Sequence, residues 1–282
     1  MKDFFYKATG QKPIYLSSVP GGDINEAYKI VTTSNTYFAK VNSSPIAKDM
    51  FEKEALGLQL LKEKSGINVP VVLSSGTIKN KSYLLLNWIE QGKANNDTNK
   101  NLAVQLALLH KVSNSFFGLD HNNYIGNLPQ KNKGHKNWLE FYFSNRIELQ
   151  IEKAINSNLI HKKYIRKTEL MFVKIESDYP KVIPSLLHGD LWSGNYIINN
   201  NGKVVFIDPA IYYGCREMDI AMMKLFGGFA NEVFNIYNEL FPLDYQWQSR
   251  LKFHQLYYIL VHVNLFGGSY ISSAQSIIDY YY

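Results

Sequence analysis

Cysteine is almost absent from this sequence: of 282 residues, Cys215 is the single one. An intramolecular disulfide is excluded, and so is a metal cluster built from several thiolates. That usage fits a reducing compartment. Charge is sparse as well, at 19% of residues. Lys plus Arg number 30 against 24 for Asp plus Glu, giving a net charge of +6 and a pI near 9.0. The excess is spread along the chain, with no basic tail and no recognised reader motif, so nucleic acid is not an expected partner. Long hydrophobic runs are missing too. The most apolar stretch, 256–266, is interrupted by His262 and Asn264 and is shorter than a bilayer requires. Residues 1–7 carry an acid and no sustained apolar run, unlike a secretory signal. Together these absences predict a soluble cytoplasmic protein with no membrane contact. What the chain does have is apolar and aromatic material, 46% and 14%, enough for a sizeable core and too much for intrinsic disorder.

No internal repeat or low-complexity linker divides the chain, yet its character changes near residue 90. Before that point, β-branched and aromatic runs predict strands at 14–19, 27–33 and 37–41. Phe51, Ala55 and Leu58 then repeat at helical spacing. Two more strands, 69–73 and 81–89, are predicted around Ser74-Ser75-Gly76 and Asn80. A polar, Asn-rich tract at 91–100 marks a boundary. Beyond it, apolar stripes predict helices at 102–110, 136–156, 164–179, 218–229, 231–240 and 245–266. The reading is an α+β chain. Residues 1–90 form a β-rich lobe, an antiparallel sheet with one main helix; residues 91–282 form a larger, mainly helical lobe.

The stretch that carries chemistry is His188-Gly189-Asp190-Leu191-Trp192-Ser193-Gly194-Asn195, followed by two apolar runs around Asn201-Gly202 and ending at Asp208. Apolar runs flanking Asn-Gly predict a hairpin. With Asn201-Gly202 as its loop, residue 200 pairs with 203, 199 with 204, and Asn195 comes to face Asp208, with Cβ atoms roughly 5 Å apart. An amide oxygen and a carboxylate so placed suit a hard cation such as Mg²⁺. Asp190, five residues before Asn195, is placed to take a proton from an attacking hydroxyl. This division of labour is what phosphoryl transfer needs, and protein kinases space an Asp, an Asn and a second Asp in the same manner. Taken singly, each residue reads as an ordinary cap or turn residue. Lys40, in an apolar strand, reads as a phosphate contact held by Glu54 on the next helix. Gly21 and Gly22, taken alone an ordinary hairpin turn, would in this context let backbone amides approach phosphates, and the backbone of Asn87, Trp88 and Ile89 would meet an adenine edge.

On His-Gly-Asp-Leu-Trp (188–192), Asp-Pro-Ala-Ile-Tyr-Tyr-Gly (208–214) and Leu-Phe-Gly-Gly-Phe (225–229), together with Gly-Gly-Asp-Ile-Asn (21–25), the chain resembles the fructosamine kinase / ketosamine-3-kinase family over nearly its whole length. That family belongs to the aminoglycoside-phosphotransferase-like branch of the two-lobed protein-kinase-like fold. The resemblance implies transfer of the γ-phosphoryl of ATP to the 3-hydroxyl of a ketosamine such as a ribulosamine or fructosamine, free or on a glycated protein. Asp190 would be the base and Asn195 and Asp208 the Mg²⁺ ligands. Lys40, Glu54, Asn25, Gly21 and Gly22 would serve the nucleotide. Trp192 would either face the substrate or wedge against its own loop, while His188 and Asp219 would brace that loop. Some relatives carry Cys where this chain has Asp23, so a disulfide-linked dimer through this segment is not implied, and a monomer or weak homodimer is expected. Asp23 would also place negative charge beside the phosphates. The alternatives are a kinase of another hydroxylated substrate, aminoglycoside- or choline-like, and a silent nucleotide-binding pseudokinase.

Overall fold

In the computed structural model, residues 1–20 and 24–282 are described. The first part of the chain runs α1 (Lys2–Thr9), β1 (Tyr15–Ser18), β2 (Glu26–Val31), β3 (Thr36–Asn42), α2 (Ala47–Ser65), β4 (Val72–Ile78) and β5 (Lys81–Asn87). The strands form one antiparallel sheet in the order β1-β2-β3-β5-β4. Alternation along β5 divides its three leucines. Leu84 and Leu86 pack with Met50, Phe51, Ala55 and Leu58 of α2, while Leu85 joins Phe5 of α1, Ile30, Ala39 and Val41 on the other face. A continuously apolar strand is what a sheet covered on both faces demands.

The rest of the chain is mainly helical. It comprises α3 (Thr98–His110), the hairpin β6 (Asn123–Ile125) and β7 (Leu128–Gln130), α4 (Trp138–Tyr142), a π-helical turn (Phe143–Ile147), α5 (Glu148–Asn156) and α6 (Lys163–Glu176). Then come β8 (Ser185–Leu187), β9 (Tyr196–Ile198), β10 (Val204–Phe206), β11 (Tyr212–Gly214), α7 (Glu217–Phe226), α8 (Asn231–Leu240), α9 (Trp247–Phe266) and α10 (Ser269–Tyr281). The two parts are tied at several points, two of them away from the cleft. Leu61 of α2 and Ile67, just after the helix, are buried with Leu102 and Leu106 of α3. The segment after β5 is stitched to the β9–β10 hairpin: Asn200 N–H donates to Glu90 O at 3.0 Å, and Gly92 N–H to Ile198 O at 2.9 Å.

Several expectations are corrected. The hairpin is offset by one residue: Ile198 pairs with Val204, Ile197 with Val205 and Tyr196 with Phe206. Its loop holds three residues, closed by Asn199 N–H to Lys203 O at 2.9 Å, with Gly202 at φ +71°. A left-handed glycine at the end of a three-residue loop is the common alternative to a two-residue turn. Asn199 Oδ1 reinforces it by accepting from the N–H groups of Asn201 and Lys203, both at 3.0 Å. Asn195 therefore pairs with Ile207, whose N–H reaches Asn195 O at 3.0 Å, not with Asp208. β4 runs through Ser74-Ser75-Gly76 to Ile78, because Gly76 makes room for the ring of Tyr83 across the sheet. The helix expected over 136–156 is broken by the π-helical turn. Among the described residues two helices were not expected, α1, which ends on a left-handed Gly10 and buries Phe5, and α10, which buries Ala274, Ile277 and Ile278.

Candidate active site

A cavity of about 690 Å³ opens between the sheet and the helical part. It brings together Asn25, Lys40, Glu54, Asp190, Trp192, Asn195 and Asp208 from the expected set. Gly21 and Gly22, and Asp23 beside them, lie outside the described residues. Asn87, Trp88 and Ile89 do not line this cavity. Two of their three amide groups are already engaged, Asn87 N–H with Val71 O at 3.1 Å and Trp88 N–H with Thr36 O at 3.2 Å.

Lys40 is the electrostatic centre. It projects from β3 and is almost fully buried, with Nζ 2.7 Å from Glu54 Oε1 and 2.8 Å from Asp208 Oδ1. Burial works against its charge, but the carboxylates of Asp208 and Glu54 outweigh that and hold the ammonium above its ordinary value. Burial raises Glu54 while Lys40 pulls it back. With contact at 2.7 Å, the pair is read as ionised. The ion pair joins α2 to β3, and its third member belongs to the other half of the molecule.

Asp208 reaches this point by an unusual backbone. Its φ is +55°, in the left-handed region that few non-glycine residues adopt. The one-residue offset of the hairpin and this turn together bring Asp208 to Lys40. Asn195 spends its side-chain N–H₂ on Asp190, at 2.8 Å to the backbone O and 3.1 Å to Oδ2. That commitment leaves Asn195 Oδ1 available as an acceptor on the cavity wall. One neutral oxygen and one carboxylate make a donor set that fits Mg²⁺ rather than a soft metal. Burial raises Asp190 to about 7, the charge of Asp208 adds to the rise, and the Asn195 hydrogen bond opposes it.

The 188–195 loop is fixed from beneath. Asp219 of α7, fully buried, accepts the N–H of His188 at 2.8 Å and that of Gly189 at 2.9 Å. Its Oδ2 also lies 3.1 Å from His110 Nε2, whose other ring nitrogen is 2.8 Å from Tyr237 OH. Burial alone would raise the Asp219 carboxyl; these donors outweigh it and hold it below its ordinary value. His188 links the loop to the Asp208 segment, with Nε2 2.9 Å from Ile207 O and Nδ1 3.3 Å from Asp190 N. The carbonyl makes Nε2 the protonated nitrogen, so Nδ1 accepts. Gly189, at φ +82°, is required here, since a Cβ would lie 2.0 Å from Ala210 O. Both readings of Trp192 are physically compatible: its ring lies on Gly194, where a Cβ would come within 2.2 Å, and it also lines the cavity, 41% exposed.

The far wall was not anticipated in detail. Tyr124 stands on β6, while Phe226, His262, Phe266 and Tyr270 come from α7, α9 and α10. The ring of His262 lies 4.9 Å from both Phe226 and Tyr270. Aromatic residues at helical spacing read as core, and only the cavity distinguishes those that line it. Cys215 is buried beside Glu217 and His254. Both Glu217 oxygens are taken by Arg250, at 2.9 and 2.5 Å, and burial pushes the thiol well up, so this cluster is an internal ion pair rather than a metal centre.

An antiparallel sheet with a Lys–Glu pair, facing the loop that carries Asp190 and Asn195 and the turn that carries Asp208, has the fold of the aminoglycoside-phosphotransferase and protein-kinase-like class. Aminoglycoside phosphotransferase APH(4)-Ia superposes over 99% of this chain and 98% of its own with a TM-score of 0.66 at 13% identity, a likeness of fold. The fructosamine kinase family profile matches residues 2–282, and the chain belongs to that family of phosphotransferases acting on a hydroxyl group. It is 41% identical to a probable ketoamine kinase of Enterococcus faecium over 93% of each chain. It is 37% identical to the chloroplastic protein-ribulosamine 3-kinase of Oryza sativa subsp. japonica, over 94% of this chain and 78% of the relative. The crystal structure of a putative fructosamine-3-kinase from Haemophilus somnus 129PT aligns with 99% of this chain and 96% of its own, with a TM-score of 0.88 at 30% identity.

Proposed function

We propose that this protein transfers the terminal phosphoryl group of ATP to the 3-hydroxyl of a ketosamine, a ribulosamine or fructosamine, in the removal of sugars from amines. The observation that carries the reading is the meeting of Lys40, Glu54 and Asp208 at 2.7 and 2.8 Å in a cavity that Asp190 and Asn195 share. The names of the relatives at 37% and 41% identity support the choice of acceptor. In this reading Lys40 contacts the nucleotide phosphates, and Glu54 keeps it aimed into the cleft. Asp190 holds the acceptor hydroxyl and takes its proton as the new O–P bond forms and the bond from the γ-phosphorus to the bridging oxygen breaks. ADP leaves with the electron pair of that bond. Asn195 and Asp208 would hold Mg²⁺, which when bound offsets charge on the phosphates. Asn25, whose Oδ1 accepts from Asn42 Nδ2 at 2.8 Å, would border the phosphates. Trp192 would lay its exposed face along the acceptor. No described helix is long and apolar enough to cross a membrane, and a cytoplasmic site of action fits this chemistry.

The test is a reaction with ATP and Mg²⁺ on ribulosyl-lysine and fructosyl-lysine followed by ³¹P NMR. The expected product is a phosphomonoester on the 3-hydroxyl. Inert ketosamines alongside turnover of a different alcohol would overturn the assignment.

A further inference from the structure

Arg146 is fully buried in the π-helical turn, and no carboxylate lies within ion-pairing distance of it among the described residues. Its guanidinium lies 4.0 Å from the ring centre of Tyr212 and 4.7 Å from that of Phe141. Burying a cation without an anion is costly unless other groups replace water. The replacements here lead somewhere. Arg146 Nη2 donates to Asn132 Oδ1 at 2.7 Å, and Asn132 Nδ2 donates to Asn123 Oδ1 at 2.8 Å. Gln130 Nε2 donates to the same Asn123 oxygen at 2.8 Å and is 3.1 Å from Ala210 O. Asn123 Nδ2 donates to Ile211 O at 2.8 Å.

Asn132 and Asn123 are oriented in turn, because an oxygen that faces a donor forces the N–H₂ to the far side; Gln130 meets the same Asn123 oxygen as a branch of the series, with its own Oε1 accepting from Tyr257 OH at 2.8 Å. The series ends on the two carbonyls that follow Asp208-Pro209. Ala210 N–H donates to His188 O at 2.8 Å, so the same residue touches the loop that carries Asp190. A π-helical turn at this position is the sort of local irregularity that recurs near functional sites.

We propose that Asn123, oriented by Arg146 through Asn132, and Gln130, which donates to the same Asn123 oxygen, are positioning residues that hold the Asp208 turn in its left-handed conformation. The proposal rests on reading Asp208 as a metal-holding carboxylate. Without these amides the two carbonyls lose their buried donors, and the segment relaxes away from the φ of +55° that aims Asp208 at the cleft.

The experiment compares the affinity of the full-length protein for AMP-PNP with Mg²⁺ and with EDTA, by calorimetry, for wild type and Gln130→Met. Methionine keeps the length of the side chain and removes the donor, along with the oxygen that accepts from Tyr257 OH. The expected result is a loss of about ten-fold in the Mg²⁺-dependent affinity, the size typical of groups that support metal ligands, with the EDTA affinity within about two-fold. Should Gln130→Met fail to fold, Asn132→Ala interrupts the series before Asn123 and is read in the same way. A folded variant that keeps its Mg²⁺-dependent affinity, or loses both affinities equally, overturns the proposal. The ³¹P assay on wild type separates the two claims. An inactive wild type sinks the ketosamine reading whatever the variant does, whereas an active wild type with an unaffected variant sinks the positioning role alone.

Discussion

The loop that carries Asp190 and the turn that carries Asp208 are both anchored from the interior, by groups of opposite sign. Under the loop sits an anion: Asp219 collects the backbone N–H groups of His188 and Gly189. Under the turn sits a cation, since Arg146 acts through amide side chains on the carbonyls of Ala210 and Ile211. The choice follows from what each backbone offers. A tight glycine-containing loop turns N–H groups inward and needs an acceptor. The 210–211 segment turns carbonyls inward and needs donors. A carboxylate reaches two adjacent N–H groups directly, so the first anchor is a single residue. The guanidinium spends its own donors on the Lys131 and Asn145 carbonyls and on Asn132, and asparagine and glutamine meet the 210–211 carbonyls. The first anchor is therefore short and strong, and the second is longer, with its effect spread over several side chains.

That difference predicts a ranking. The largest effect belongs to Asp219→Ala, which strands three donors in the interior at once. A loss of about 3–5 kcal/mol of stability is expected, read from denaturant unfolding. A variant as stable as wild type would mean that the loop holds itself. A smaller effect is expected from pH. Burial holds the imidazoles of His110 and His188 below their ordinary value of 6.5. The unfolded chain therefore takes up protons first as pH falls. The stability tied to these groups is complete above 6.5 and is lost as pH drops below it toward their folded-state values. Asp219, held below its ordinary 3.8, adds a further loss at lower pH. Melting temperature should decline from pH 6.5 downward, and His110→Gln should make that decline shallower. A melting temperature that stays flat until the carboxylate range would contradict the buried, neutral assignment.

How much of this was legible in the sequence depends on whether short spacing or long-range packing decides each residue. Asp190, Asn195 and Asp208 stand out because a loop and a hairpin fix their separation along the chain. Lys40 and Glu54 stand out because an apolar strand and an apolar helix face leave a charged residue little else to do. The register of the hairpin was missed by one, since an Asn-Gly pair suits a two-residue loop as well as the end of a three-residue loop. Only the closure of Asn199 on Lys203 distinguishes them. Arg146 left no local signal. Its partners are 14 residues away at Asn132 and 66 residues away at Tyr212, and the π-helical turn breaks the periodicity that would have marked it as inward-facing. The aromatic wall around His262 was hidden for a similar reason, because rings on three helices converge only when the helices pack.

The most direct test is Asp190→Ala, with ketosamine turnover and Mg²⁺–AMP-PNP binding measured on the same preparation. Removal of a positioned base predicts turnover lower by about 10³-fold or more, with nucleotide affinity within about three-fold of wild type. Turnover comparable to wild type would take the proton-accepting role away from Asp190 and with it the assignment of this cleft.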